Sequence, residues 1–251
     1  MKTKYTYNTL EDFLISHPLT IDEEADDGWG AKFPVKGITI EATILFADIS
    51  SFTSRTSDLT PEETLFFVNN FFSWITAEAI KHYPCIVDKY IGDEVMLVFS
   101  KRFGSEDPFL DAVKCAMDIM NQDVLAFSPH VGIASGKVIA GYVGTPIKYN
   151  ASLFGNAVNL ASRCASIKSD KYKSIIFPTS ECENECLKKI PLSVKRGEQE
   201  IDAWEIIKPR KEGVKNMGKI KVTELSSSLV HMPMQSATDR AKEALKNYAT
   251  K

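Results

Sequence analysis

The chain has 251 residues, of which 44% are hydrophobic and 25% charged, with a net charge of −3. These are the proportions of a soluble globular protein with a sizeable core. The charge balance excludes a non-specific nucleic-acid footprint, so any polyanion must be met by a local cluster of donors. No apolar run reaches the roughly 20 residues of a membrane span, because "LFFVNNFFSWI" is interrupted by asparagines. The five cysteines are an odd number with no secretory leader before them, which predicts reduced thiols in a cytoplasmic protein that is not membrane-embedded. Cys182 and Cys186 stand one helical turn apart, but no second Cys/His pair follows at zinc-site spacing.

Residues 1–38 mix acidic residues, Pro18, Pro34 and scattered aromatics, and read as an arm packed on a domain. From Ile38, "ITIEATILFADI" has the β-branched, continuously apolar content of a central strand ending at Asp48. "TPEETLFFVNNFFSWITAEAIKHY" is an N-capped helix: Thr60 caps, Pro61 takes the first position and Glu63 completes a capping box. Leu65, Val68, Phe72, Ile75 and Ala79 form its apolar stripe. "CIVDKY" and "EVMLVFS" flank Ile91-Gly92-Asp93 as a β-hairpin with Asp93 at the tip. A second amphipathic helix follows in "DPFLDAVKCAMDIMNQDVL", with Leu110, Val113, Met117 and Met120 on one stripe.

"HVGIASGKVIAGYVG" reads as two short strands about Ser135-Gly136-Lys137, and a helix opens at Gly155 in "FGNAVNLASRCASI". Two more strands are expected near Ser174–Phe177 and Ile201–Ile207. This order predicts an α+β fold on the ferredoxin-like split βαβ plan, a βαββαβ core with extra strands and helices and with its helices on one face. The domain runs over residues 39–208; residues 209–251 are a polar, lysine-rich tail with an amphipathic pattern from Ala237 to Tyr248. The lysine-rich run reads as a solvated linker rather than a nucleic-acid patch.

The split plan brings Asp48 and Asp93 to neighbouring strand ends. Two carboxylates that close repel and raise each other's pKa unless a cation lies between them. By spacing alone they are equally a pair of solvated turn residues. A hard divalent ion, magnesium or manganese, suits a site of one or two carboxylates completed by water and phosphate oxygens.

Four segments in order, "ILFADISSFT", "IGDEVMLVF", "VGIASGKVIAGYVG" and "GNAVNLASR", resemble the motifs of the class III nucleotidyl cyclase catalytic domain, and the likeness runs from about residue 40 to about residue 207. The resemblance implies a cyclase that closes a nucleoside triphosphate to its 3′,5′-cyclic monophosphate and releases pyrophosphate. It implies two divalent metal ions, Mn2+ or Mg2+, held by Asp48 and Asp93 with the carbonyl of Ile49. It implies a ribose-orienting asparagine at Asn159 and a transition-state arginine at Arg163, whose fixed fork of donors suits a pentavalent phosphate. Lys137 stands where the family often has arginine, and Lys195 or Arg196 matches its triphosphate clamp. Ser51, Ser54 and the start of the next helix could offer backbone amides to phosphate. Because one chain carries both residue sets, the family's arrangement implies a head-to-tail homodimer with shared sites.

Lys89 and Ser152 match the family's base-reading pair, a lysine with a hydroxyl in place of the adenylate-type aspartate. No carboxylate faces the donors of guanine. A lysine with a hydroxyl suits the two carbonyls of uracil and also admits adenine. The layout, a cyclase domain with a short arm and tail, resembles the Pycsar anti-phage pyrimidine cyclases, which signal to a separate effector. The expectation is therefore UTP to cyclic UMP, with ATP as the alternative and CTP after it. A catalytically silent nucleotide-binding cyclase fold is the other class of reading, and loss of Asp48, Asp93, Asn159 or Arg163 would be its mark; all four are present.

Overall fold

The computed structural model describes residues 7, 9–26, 28–122, 126–167, 174–178, 187–192 and 201–206. The chain divides into two compact units, and the fold below is that of the unit Lys4–Asp123 with Phe127–Ile207. Lys195, Arg196, Cys182, Cys186 and the tail pattern over 237–248 lie outside the described residues.

Alternating and continuous apolar runs build a mixed sheet around β2 (Lys32–Asp48), a 17-residue strand. Its C-terminal half pairs antiparallel with β4 (Glu94–Phe99) on one side and β5 (His130–Thr145) on the other. Around them the order runs β3 (Cys85–Ile91), β4, β2, β5, β7 (Ser174–Pro178), β9 (Ile201–Ile206), β8 (Leu187–Leu192). Among the described strands, β5 and β7 alone pair in parallel. Beyond the central ladder the long strands each gain another partner: β1 (Ile21–Asp26) pairs with the start of β2, and β6 (Lys148–Phe154) with the end of β5.

The segment read as two short strands about Ser135-Gly136-Lys137 is a single 16-residue strand, β5, and the hairpin turn lies later, at Pro146-Ile147. Its glycines are there for packing. A Cβ on Gly132 would sit 2.0 Å from the Ala161 carbonyl oxygen, and one on Gly136 would meet the Ala157 methyl at 3.4 Å. Both neighbours belong to α5 (Asn156–Ala165), which therefore lies directly on the strand.

The helices occupy both faces, not one. Residues opposed across a ladder share a face, so Gly132, Phe46 and Met96 lie on the α5 side. There Ile44, Phe46, Met96, Ala134 and Val138 form one cluster with α5 and with Leu10, Phe13 and Leu14 of α1 (Leu10–Ser16). Leu45, Ala47, Leu97, Val131 and Ile133 point the other way and are fully buried. Their side carries α3 (Pro61–His82) and α4 (Pro108–Gln122). The capping box of α3 forms: Thr60 Oγ1 accepts from the Glu63 N–H, and the Thr60 N–H donates to Glu63.

The stripe expected on α3 holds at Ile75 and Ala79 but not at Leu65, and the one expected on α4 is rotated from that observed. In α3 the buried residues are Phe71, Ile75 and Ala79, while Leu65 is 64% exposed. In α4 they are Ala112, Cys115, Ala116 and Ile119, with Leu110 exposed. The described residues before β1 pack on the sheet: α1 buries three side chains, and Thr9 makes an isolated parallel bridge to Val87 of β3. No helix among the described residues is long and apolar enough to cross a membrane.

Candidate functional site

Asp48 ends β2 because the strand runs out of partners there, opposed by Glu94 on one side and His130 on the other. Asp93 occupies the two-residue turn between β3 and β4, where Gly92 takes the left-handed backbone (φ 61°) at the first central position of the turn. The hairpin thus delivers Asp93 to the end of β2. The two carboxyls come within hydrogen-bonding reach.

Burial first, then the hydrogen bond to Asp93 and its charge, then the charge of Glu94, push the Asp48 carboxyl up to about 8. Only a donation from the Ile49 N–H opposes them. Burial and Asp93 likewise raise the Glu94 carboxyl to about 6. A buried Asp48 carboxyl raised by a neighbouring carboxylate is chemically matched to a hard cation, which would take the place of its proton. Among the described residues no group of three or more His, Cys, Asp or Glu side chains converges as a metal site. A cation here would accordingly rest on this pair and fill its shell from backbone, water and phosphate oxygens.

Sequence reasoning missed two neighbours of this pair. His130 Nε2 and Ser50 Oγ are 3.1 Å apart, and burial lowers the His130 pKa. His130 is placed by the β2–β5 register, for which no local sequence signal exists. Ser51 adopts the left-handed region (φ 56°, ψ 36°) just before the short helix α2 (Phe52–Thr56), turning the chain sharply away from Asp48.

The second cluster lies on β3, β6 and α5. Lys89 Nζ donates to Ser152 Oγ, although β3 and β6 are not neighbours in the sheet. Ser152 is 4% exposed. Lys89 Nζ also lies 3.1 Å from Asp88 Oδ2. Asp88 is pushed up to about 6 by burial, against the pull of Lys89. On α5, Ala157, Ala161, Cys164 and Ala165 face the sheet, and the exposed Asn159 and Arg163 stand one turn apart. Lys137 is exposed on β5, opposite Glu41. The structure thus joins Asp48 with Asp93 and Lys89 with Ser152, and sets Asn159 and Arg163 on one helix. It shows no contact between Lys137 and either pair.

The family model described as Adenylate and Guanylate cyclase catalytic domain matches residues 37–208. An adenylate cyclase of Anabaena cylindrica is 31% identical over 158 residues, 58% of this chain and 31% of that protein. The terminal-differentiation-specific adenylate cyclase of Dictyostelium discoideum is 33% identical over 146 residues, 55% of this chain and 7% of that protein. The chain spans less than a third of the length of these two relatives. Among solved structures, the guanylyl cyclase Cya2 aligns with a TM-score of 0.57 at 22% identity, covering 68% of this chain and 93% of that one, a likeness of fold. A bacterial light-regulated adenylyl cyclase aligns at 0.52 with 26% identity, over 67% and 91%.

Proposed function

The chain belongs to the adenylate and guanylate cyclase catalytic domain family, and on that premise we propose that it converts a nucleoside triphosphate, ATP, into its 3′,5′-cyclic monophosphate and pyrophosphate. The observation that carries this is the meeting of Asp48 and Asp93 at the end of the central strand, where burial and Asp93 raise the Asp48 carboxyl. Asp48 and Asp93, with the Ile49 carbonyl, would hold two divalent ions, Mn2+ or Mg2+. When bound, the metal ions supply a lowered pKa at the ribose 3′-hydroxyl and neutralise charge on the triphosphate. Asn159 orients the ribose so that its 3′-oxygen lies in line with the α-phosphorus. Arg163 places its donor fork on the α-phosphate oxygens as the 3′-oxygen bonds to phosphorus and the bond to pyrophosphate breaks. Lys137 adds positive charge for the leaving pyrophosphate; Lys195 or Arg196 is the proposed clamp at its far end.

The sites are shared between two copies of the chain packed head to tail, Asp48 and Asp93 from one and Lys89, Ser152, Asn159 and Arg163 from the other. Large apolar side chains left exposed in the single chain, Leu65, Tyr90 and Ile91 on α3 and β3 and Ile147, Tyr149 and Phe154 on or just before β6, support such a pairing.

The two relatives named above are adenylate cyclases, which supports ATP. One observation favours a second reading. The Lys89–Ser152 pair presents an ammonium and, where the adenylate pattern has an aspartate, a hydroxyl, and two such groups suit the carbonyls of uracil as well as the N1 and amino group of adenine. Under that reading the product is cyclic UMP, a messenger to a separate effector in anti-phage defence. Incubating the protein with manganese and each of the four triphosphates separately decides between them. Dominant cyclic AMP supports the first reading and dominant cyclic UMP the second; no cyclic product from any of the four refutes both.

A further inference from the structure

Strand β3 does not run regularly beside β4. Val87 pairs with Leu97 and Lys89 with Met96, so Asp88 is an extra residue bulged out of the ladder. In a regular strand successive side chains point to opposite faces. The bulge breaks that alternation and leaves the Asp88 carboxylate 3.1 Å from Lys89 Nζ. The Asp88 side chain is 0% exposed, and neither of its oxygens has a hydrogen-bond partner. The contact to Lys89 is thus an ion pair at hydrogen-bond distance without hydrogen-bond geometry. A buried carboxylate is costly to keep unless its charge is used, and here its ion-pair partner is the group proposed to read the base.

The surroundings fix this arrangement. The Thr9↔Val87 bridge clamps the strand one residue before the bulge. Helix α1 packs against β3, β5 and β6. Leu10, Phe13 and Leu14 of α1 share one core cluster with Ile86 and Met96, beside and opposite the bulge, and with Ala151 and Leu153, which flank Ser152. The two strands carrying Lys89 and Ser152 are therefore held together by the N-terminal helix.

We propose that Asp88, bulged out of β3 beneath the N-terminal helix, is a positioning residue that fixes the Lys89 ammonium against Ser152 and so sets base preference. An ammonium has three donors. One goes to Ser152, and the Asp88 charge 3.1 Å away restricts how the ammonium turns about that bond, so the donors left for the base keep a fixed direction. Without the Asp88 charge the flexible lysine stem samples other directions, and acceptors on different bases become equivalent. The inference rests on the base-reading role proposed above for Lys89.

The test compares binding of four non-cyclisable triphosphate analogues, differing only in base, by titration calorimetry with manganese present, for wild type, Asp88→Asn and Asp88→Ser. Folding is checked by circular dichroism, and steady-state kinetics run in parallel. Wild type should prefer one base, and each folded Asp88 variant should lose about tenfold of that preference, the order of one charge-assisted contact. KM for the cyclised triphosphate should rise more than kcat falls. In a Lys89→Ala background Asp88→Asn should cause no further loss of preference, because the two act as one unit. Preference retained in the folded Asp88 variants, an equal loss in the Lys89→Ala background, or no base preference in wild type would each overturn the proposal. Lack of cyclic product with base preference intact would count against the cyclase reading alone, and the binding comparison would still decide the role of Asp88.

Discussion

Mixing two inactive variants puts the shared site to its sharpest test. Asp48→Ala removes half of the acid pair, and Arg163→Ala removes the donor fork on α5. Each homodimer then lacks one essential set in both of its sites. Each variant alone should fall by about 100-fold or more, the range for losing a group that stabilises transition-state charge. Equal amounts of the two chains reassort so that half of the dimers are mixed. In a mixed dimer one site receives Asp48 from the Arg163→Ala chain and Arg163 from the Asp48→Ala chain, and is whole; the other lacks both. One whole site in half of the dimers, against two in every wild-type dimer, gives about one quarter of wild-type activity at equal total protein. The assay is cyclic nucleotide formation after co-refolding, with subunit exchange confirmed by two different affinity tags. Exchange without a rise above the sum of the two variants would refute composite sites.

The acid pair also predicts a pH dependence. The folded Asp48 carboxyl titrates near 8 rather than near 3.8, so between those values the native state holds more protons than the unfolded chain and stability falls as pH rises. Metal-free protein should show a lower thermal midpoint at pH 8 than at pH 5, a slope that Asp48→Asn should reduce. Manganese should raise the midpoint more at pH 8 than at pH 6, since the carboxyls must ionise to bind it; stabilisation that ignores pH would contradict the site. Gly132→Ala should destabilise by about 2 kcal/mol or more in chemical denaturation, an overpacking cost, because its Cβ would lie 2.0 Å from the Ala161 carbonyl oxygen. Cys85 and Cys164, buried and with their thiols pushed up to about 12, should resist alkylation in the native protein at pH 8 when modification is mapped by mass spectrometry.

What was legible in the sequence is what local chemistry dictates. Thr60, Pro61 and Glu63 start α3 where expected, and Gly92 turns the β3–β4 hairpin so that Asp93 reaches Asp48. Local reading failed where packing overrides it. Gly136 and Lys137 look like a turn, yet the glycine leaves room for Ala157 in the middle of a straight strand. Leu65 and Leu110 fit helical stripes, but which side of a helix is covered depends on its neighbours, and both are exposed. Asp88 and His130 were invisible because a bulge and a ladder register place them.

The burial of α1 bears on how this protein is handled. A fragment trimmed to the shared family boundary would begin at Gly37, part-way along β2, and would strip away Leu10, Phe13 and Leu14 together with β1. Ile86 and Phe103, sealed beneath that helix in the intact chain, would then meet water as a sticky apolar window. A version of this domain is best made with α1 and β1 attached, because α1 is the lid of this part of the core.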